Sequence, residues 1–284
     1  MWVVLLLILT WKPAICQFPC DSQDDHCPAG FSCVYSCMLP GTKMCLDYRV
    51  LPYIKTHCPS KRRPHQDYDP PRISILDEGK IQELSKNPLK LILDATIVLV
   101  QSRGKNILVD TGSRYQGTAL LRGLRRRRLR PEHIDLVLTT RIQPDHYSND
   151  QFFMDVPIVF STFQGHRHLL ESNPLMQKKK YFLFDDPNLE VIATPGHDSR
   201  DISLIVLGVK HRGTVAISGD LFINETSAEN FETNMDYFGP FSEDHKTSMR
   251  AVICRADWII PSHGAPFATD SYRTKFGCLA KQIS

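Results

Sequence analysis

Apolar and polar positions follow three regimes along the chain. The first is a run of ten mostly apolar, uncharged residues from Trp2 to Trp11, ended by Lys12. Ala14-Ile15-Cys16 then offers small residues ahead of a cleavage point before Gln17. This predicts a secretory signal peptide over 1–16, although no Lys or Arg precedes the run. It is too short for a stable membrane span, which needs about 20 apolar residues. The second regime, 17–71, has no sustained periodicity and is broken by Pro28-Ala29-Gly30, Pro40-Gly41 and the proline- and charge-rich stretch 59–71. Proline neither continues a helix nor donates to a strand ladder, so 59–71 reads as a linker.

The third regime begins at Arg72. Ile73–Leu76 reads as a strand, and Leu89–Gln101 and Asn106–Asp110 as β-rich runs joined through Arg103-Gly104-Lys105, a hairpin signal. Further strands are predicted at Ile134–Thr140, Ile158–Ser161, Glu190–Thr194, Ile202–Val209, Thr214–Ser218 and Asp257–Pro261. Leu120, Leu121 and Leu124 have helical spacing within Thr118–Arg128. Ser242 is placed to cap a helix running to Arg255, with Met249, Val252 and Ile253 on one face. Strands alternating with few helices predict an α/β domain over 72–284, built with hairpins rather than a purely parallel sheet.

Composition changes this picture in one respect. The chain has 284 residues, 42% apolar and 23% charged, which excludes collagen, coiled coil and wholesale disorder. A net charge of +3 is too slight to imply nucleic acid or a membrane surface. Cysteine, however, is uneven: seven of nine lie within the first 58 residues. With Cys16 removed alongside the signal, Cys20, Cys27, Cys33, Cys37, Cys45 and Cys58 remain in a short loop-rich module, 17–58, that cannot bury enough apolar surface to hold itself. In a secreted chain this reads as a small module stapled by three disulfides, with about fifteen pairings open. A zinc module is the rival reading, but only Cys33 and Cys37 approach ligand spacing. Cys254 and Cys278 can pair with each other.

Candidate chemistry lies at strand ends. The runs NILVDTG, DLVLTTRIQPDH, LEVIATPGH, TVAISGD and DWIIPSH deliver Asp110, Asp145 with His146, His197, Asp220 and His263. Loops at the ends of rigid strands are where working groups concentrate, and His nitrogen with carboxylate oxygen is the usual zinc donor set. The repetition of this context predicts a shared metal site. Arg125–Arg128 reads as a solvated helix end complementing the helix dipole, since four consecutive residues spread around a helix instead of forming one stripe. His166-Arg167-His168 has a ligand-like spacing but no Asp-His after it, and is placed at a strand-to-helix junction on the surface. Asn224-Glu225-Thr226 is a glycosylation sequon.

In order and spacing, Asp110-Thr111-Gly112, Asp145-His146, Pro195-Gly196-His197, Gly219-Asp220 and Ser262-His263-Gly264 resemble the five motifs of the metallo-β-lactamase fold superfamily. The resemblance covers about residues 72–270 and leaves out the cysteine module. It implies an αββα sandwich with a metal cleft along one edge. It also implies hydrolysis, of substrates ranging from β-lactams and thioesters to phosphodiesters, and among the nearest members endonucleolytic processing of histone pre-mRNA.

The second motif departs from the family pattern His-x-His-x-Asp-His. Arg141 and Gln143 stand where the two leading histidines would hold a first metal together with the third-motif histidine. Arginine offers no lone pair, and glutamine only a weak neutral oxygen. Of the first set the resemblance leaves His197 and the bridging Asp220; the second set, Asp145, His146, Asp220 and His263, is whole. The expectation is one zinc ion, held within Asp145, His146, His197, Asp220 and His263, with Asp110, Thr111 and Gln143 orienting the ligands and Asp145 and Arg141 acting on substrate. Three placements of Arg141 are open: toward the vacated first-metal position, where it would capture an anionic group; paired with Asp110; or turned to solvent. Functionally this gives a secreted one-metal hydrolase of small anionic, ester or thioester substrates, or a non-catalytic protein that binds an anion or partner in the same cleft. A ribonuclease role follows from resemblance only. The sequence does not fix the oligomeric state.

Overall fold

The computed structural model describes residues 31–35, 43–47, 69–232, 235–236 and 239–278. The predicted signal peptide, Cys20, Cys27, Cys37, Cys58 and most of the predicted linker lie outside the described residues. The chain divides into Met1–Asp67 and Tyr68–Ser284. In the first unit, β1 (Phe31–Tyr35) pairs antiparallel with β2 (Lys43–Asp47), and the register sets Cys33 opposite Cys45.

In the second unit, β3 (Arg72–Asp77), β6 (Ile97–Ser102), β7 (Lys105–Val109), β8 (Leu136–Thr139), β9 (Ile158–Phe160), β10 (Phe163–His166) and β11 (Leu169–Ser172) form one sheet, in the order β11-β10-β9-β8-β7-β6-β3. A second sheet, β12-β13-β14-β15-β18-β19, contains β12 (Lys180–Phe182), β13 (Leu189–Ala193), β14 (Ile202–Val209), β15 (Gly213–Ile217), β18 (Trp258–Ile260) and β19 (Phe267–Ala268). Two hairpins stand apart: β4 (Lys80–Lys86) with β5 (Leu89–Asp94), and β16 (Met235–Asp236) with β17 (Gly239–Pro240). Side chains alternate across a strand, so continuous apolar runs bury both faces. Val98, Val100, Ile107, Val109 and Leu138 of the first sheet share a core with Val191, Leu204, Val206, Val215, Ile217 and Ile260 of the second. Their neighbours face outward. Ile97, Leu99 and Leu108 pack with Leu120 and Leu124 of α1 (Gly117–Arg126). Ile205, Ala216 and Ile259 pack with Met249, Val252 and Ile253 of α4 (Glu243–Ile253). The layers are therefore helix, sheet, sheet, helix. Three short helices complete the unit: α2 (Pro144–Tyr147), α3 (Glu225–Glu229) and α5 (Asp270–Arg273).

β7, β8 and β9 are parallel neighbours, as are β15 and β18. Their C-terminal ends release Asp110, Arg141, Asp220 and His263 along one edge. Hydrogen bonds stitch the sheets together there: Ile202 N donates to Thr140 O at 3.0 Å and Thr96 N to Ser262 O at 2.7 Å.

The structure corrects two predicted elements. Leu89–Gln101 is not one β-rich run; it breaks at Ala95-Thr96, because both Thr96 N and Thr96 Oγ1 donate to Ser262 O rather than to a neighbouring strand. His166 and His168 sit not at a strand-to-helix junction but at a hairpin turn, with Arg167 at φ 55° and His166 Nε2 3.1 Å from Asp155 O. Ser242 caps α4 as predicted, its Oγ accepting from His245 N at 3.1 Å. Cys254 and Cys278 form a disulfide with their Cα atoms 5.2 Å apart. Among the described residues no helix is long and apolar enough to cross a membrane.

Candidate metal centre

The site is assembled by α2. Pro144 occupies its first turn, where a missing N–H costs nothing, and Gln143 precedes it in extended backbone. Gln143 caps through its main chain, its carbonyl accepting from His146 N at 2.9 Å. Asp145 and His146 are thereby set in the first helical turn beyond the short 140–143 loop that leaves β8. Thr111 N in turn donates to His146 O at 2.7 Å, and Asn149 Nδ2 donates to Thr111 O and Ser113 O. The loop bearing Asp110 and Thr111 and the loop bearing Asp145 and His146 are thus one hydrogen-bonded unit.

Asp110 adopts φ 56°, a left-handed conformation that disfavours a side chain. Its carboxylate compensates by accepting from Thr140 N and Thr140 Oγ1, both at 2.7 Å, and by meeting His146 Nδ1 at 2.9 Å. His263 Nδ1 lies 3.0 Å from Asp94 O. Since both Nδ1 atoms face acceptors, each carries its N–H there, and Nε2 is the atom left to offer a lone pair to a cation once that cation displaces any proton it holds. His146 Nε2 and His263 Nε2 each lie 3.3 Å from Asp220 Oδ1, and 3.6 and 3.5 Å from Asp145 Oδ2. Asp220 reaches this position because Gly219 turns at φ 53°; a Cβ there would stand 2.6 Å from Thr140 Oγ1.

Four electron-pair donors converge. His146 Nε2, Asp145 Oδ2 and Asp220 Oδ1 are buried without a well-directed hydrogen-bond partner, a state that buried polar atoms rarely adopt unless an ion or an ordered water satisfies them. Donor atoms of Asp145, His146 and His263 lie within 4.8 Å of one another. The residues present therefore fit one metal ion. Burial disfavours a charged His146 ring, but Asp110 and Asp220 outweigh it and hold its pKa well above the ordinary value. Burial likewise opposes ionised Asp220, yet His146 and His263 keep its pKa well below the usual carboxylate range.

Arg141 points inward and is 6% exposed. Nη1 lies 3.0 Å from Asp220 Oδ2 and 3.7 Å from Asp201 Oδ2. Two of the three open placements are thereby corrected: Arg141 does not face solvent, and it pairs with Asp220 and Asp201 rather than with Asp110, whose oxygens are taken by Thr140 and His146. His197 lies outside the Asp145–His146–His263 group, its ring 6.5 Å from that of His245. The loop carrying it rests on α4, where Ser248 Oγ donates to Pro195 O at 2.6 Å.

Comparison with known proteins agrees with this geometry. The sequence signature of the metallo-beta-lactamase superfamily matches residues 93–159. Metallo-beta-lactamase domain-containing protein 1 of Xenopus laevis is 30% identical over 240 residues, 84% of this chain and 93% of that protein. The chain belongs to the metallo-β-lactamase superfamily. The human protein of the same name is 33% identical over 172 residues, 57% of this chain and 59% of its own length. A metallo-β-lactamase structure from Thermotoga maritima superposes with a TM-score of 0.55 at 18% identity, covering 70% of this chain and all (100%) of that one. A quorum-quenching N-acyl homoserine lactone lactonase superposes at 0.50, also with 18% identity, covering 70% and 92%. These two likenesses establish the metallo-β-lactamase fold alone.

Sequence reasoning missed several groups of this superfamily site. The Asp94 carbonyl holds His263 across 169 residues of chain, and Thr140 holds Asp110, the partner of His146, across 30. Asp201, just before β14, is another; its separation from Arg141 in sequence hides their contact. His245 is buried under the His197 loop, with Nε2 2.9 Å from Leu221 O.

Proposed function

We propose that this protein is a secreted, metal-dependent hydrolase that uses one zinc ion, with small ester or thioester substrates. One observation carries the reading: buried Asp145 Oδ2, His146 Nε2 and Asp220 Oδ1, joined by His263 Nε2, converge without well-directed hydrogen-bond partners of their own. Membership of the superfamily supports a hydrolase-type enzyme. A zinc ion held by these residues would supply Lewis acidity toward a carbonyl oxygen and toward water, provided it takes a fifth ligand or Asp145, the most open of the four, yields its position. Asp110 and the Asp94 carbonyl fix the two imidazoles, so the ligands need little reorganisation. Asp145 is the most open ligand, 12% exposed against 0–2% for the others, so substrate approaches from its side, where its carboxylate can accept a proton.

Secretion is supported by the apolar leader, the cysteine-dense N-terminal module and the Cys254–Cys278 disulfide, a bond that persists in oxidising compartments. Glycosylation at Asn224 belongs to the same proposal; Asn224 is half-buried and caps α3, its Oδ1 accepting from Thr226 N at 3.0 Å. The anion-capturing alternative is weaker, since two carboxylates already meet Arg141 Nη1. The ribonuclease alternative rests on resemblance.

The test is a panel of esters, thioesters and phosphodiesters presented to zinc-loaded and chelator-stripped protein. Zinc-dependent turnover of an ester or thioester is expected. Retention of one metal with no turnover of any substrate would favour a binding protein.

A further inference from the structure

We infer that Arg141, gripped by Asp201 and Asp220, is a built-in cation that occupies the place of a second metal ion and limits the centre to one. The inference rests on the metal-binding reading above and concerns a residue outside the ligand set. Asp220 divides its two oxygens. Oδ1 lies 3.3 Å from both His146 Nε2 and His263 Nε2, while Oδ2 lies 3.0 Å from Arg141 Nη1. A carboxylate shared between two metals offers one oxygen to each, and here the guanidinium takes the second share.

Three properties make Arg141 a durable replacement. Its charge is permanent, because guanidinium does not lose its proton in proteins. It has no lone pair, so it repels a neighbouring cation and cannot bind one. It is also anchored: Asp201, itself 4% exposed, meets the same nitrogen at 3.7 Å and accepts from Asp198 N at 3.0 Å. Nε and Nη1 of Arg141 are buried without a directed hydrogen bond, so the 3.0 Å contact to Asp220 acts through charge, with Asp201 the more distant partner. Without Arg141 the two buried carboxylates would face each other with no cation between them. Arg141 is thus a positioning residue: it neutralises one side of Asp220 and leaves Oδ1 directed at the histidine pair.

Native mass spectrometry of the full chain at rising zinc concentration tests this, reading ion number and folded charge state together. Wild type is expected to saturate at one ion. Arg141→His with Gln143→His, which returns two imidazoles beside Asp220, is expected to gain one more ion. Arg141→Met removes the charge and adds no ligand; a weaker extra ion is expected, held by Asp220 Oδ2 and Asp201. Arg141→Lys, which keeps the charge, is expected to stay at the wild-type number with zinc affinity within about tenfold. A wild type that takes two ions overturns the inference. So does a folded Arg141→Met, or a folded double variant, that gains none. Absence of any ion from wild type with a gain of one in the double variant would instead overturn the zinc-hydrolase reading while supporting exclusion by Arg141.

Discussion

Single residues at this centre are defined by what stands behind them. Asp110 accepts from Thr140 and holds His146 Nδ1, so Asp110→Asn should weaken zinc binding by about 10–100-fold, as loss of a ligand's supporting partner typically does; isothermal titration measures it. Asp150 makes a different prediction. Burial pushes its pKa up to about 6, against the opposing hydrogen bond from Thr111 Oγ1 at 2.7 Å. The folded state therefore binds this proton more tightly than the unfolded state. The resulting stability is complete below the unfolded value of 3.8 and is lost as pH rises through about 6. Asp150→Asn keeps an acceptor for Thr111 and should stabilise the protein at pH 8 by on the order of 2 kcal/mol relative to its effect at acid pH, read from denaturant midpoints. The converging candidate ligands Asp145, His146, Asp220 and His263 were legible in sequence because each lies just beyond an apolar run; His197, marked by the same pattern, lies outside their group. Asp201 and Asp94 were not, because a carboxylate or a carbonyl gains meaning there only from a partner distant in the chain.

At the scale of elements, alternation within the runs decides the layers. Leu124 is fully buried between α1 and the first sheet, and Leu124→Ala should cost about 2–5 kcal/mol in thermal or denaturant unfolding. Glu190 on β13 is buried and ion-pairs with Lys180 at 3.0 Å and with Arg255. Burial opposes its ionisation, but those partners hold its pKa below the ordinary 4.5. Its contribution is present above that value and is lost as pH falls through the lower folded one. Glu190→Gln should therefore flatten the acid limb of the melting-temperature profile. The long strands and α4 were readable from periodicity and from the Ser242 cap. The β10–β11 hairpin was not: its residues are largely exposed and Arg167 supplies the turn with a positive φ, so neither hydrophobic alternation nor a glycine announces it. α2 has four residues, too few for a helical period, although Pro144 marks its start.

For the molecule as a whole, the asymmetry of cysteines separates a module rich in them from a domain built on packed sheets. The Cys254–Cys278 bond closes a separation of 24 residues and ties the segment after α5 to the end of α4. Replacing both cysteines by serine should cost about 3 kcal/mol, seen as a lower melting temperature that reducing agent no longer shifts. The two sheets meet where Thr96, Thr140, Ile202 and Ser262 exchange hydrogen bonds, so the edge carrying the ligands is also a seam of the fold. The central claim is that this seam holds one metal ion on Asp145, His146, Asp220 and His263, with Arg141 standing where another would bind. A crystal structure of the zinc-loaded protein, phased at the zinc absorption edge, tests it most directly. The account predicts one anomalous peak, about 2.0–2.2 Å from His146 Nε2, His263 Nε2 and oxygens of Asp145 and Asp220, with Arg141 still on Asp220 Oδ2. Two peaks flanking Asp220, or a single peak away from the histidine pair, would contradict it.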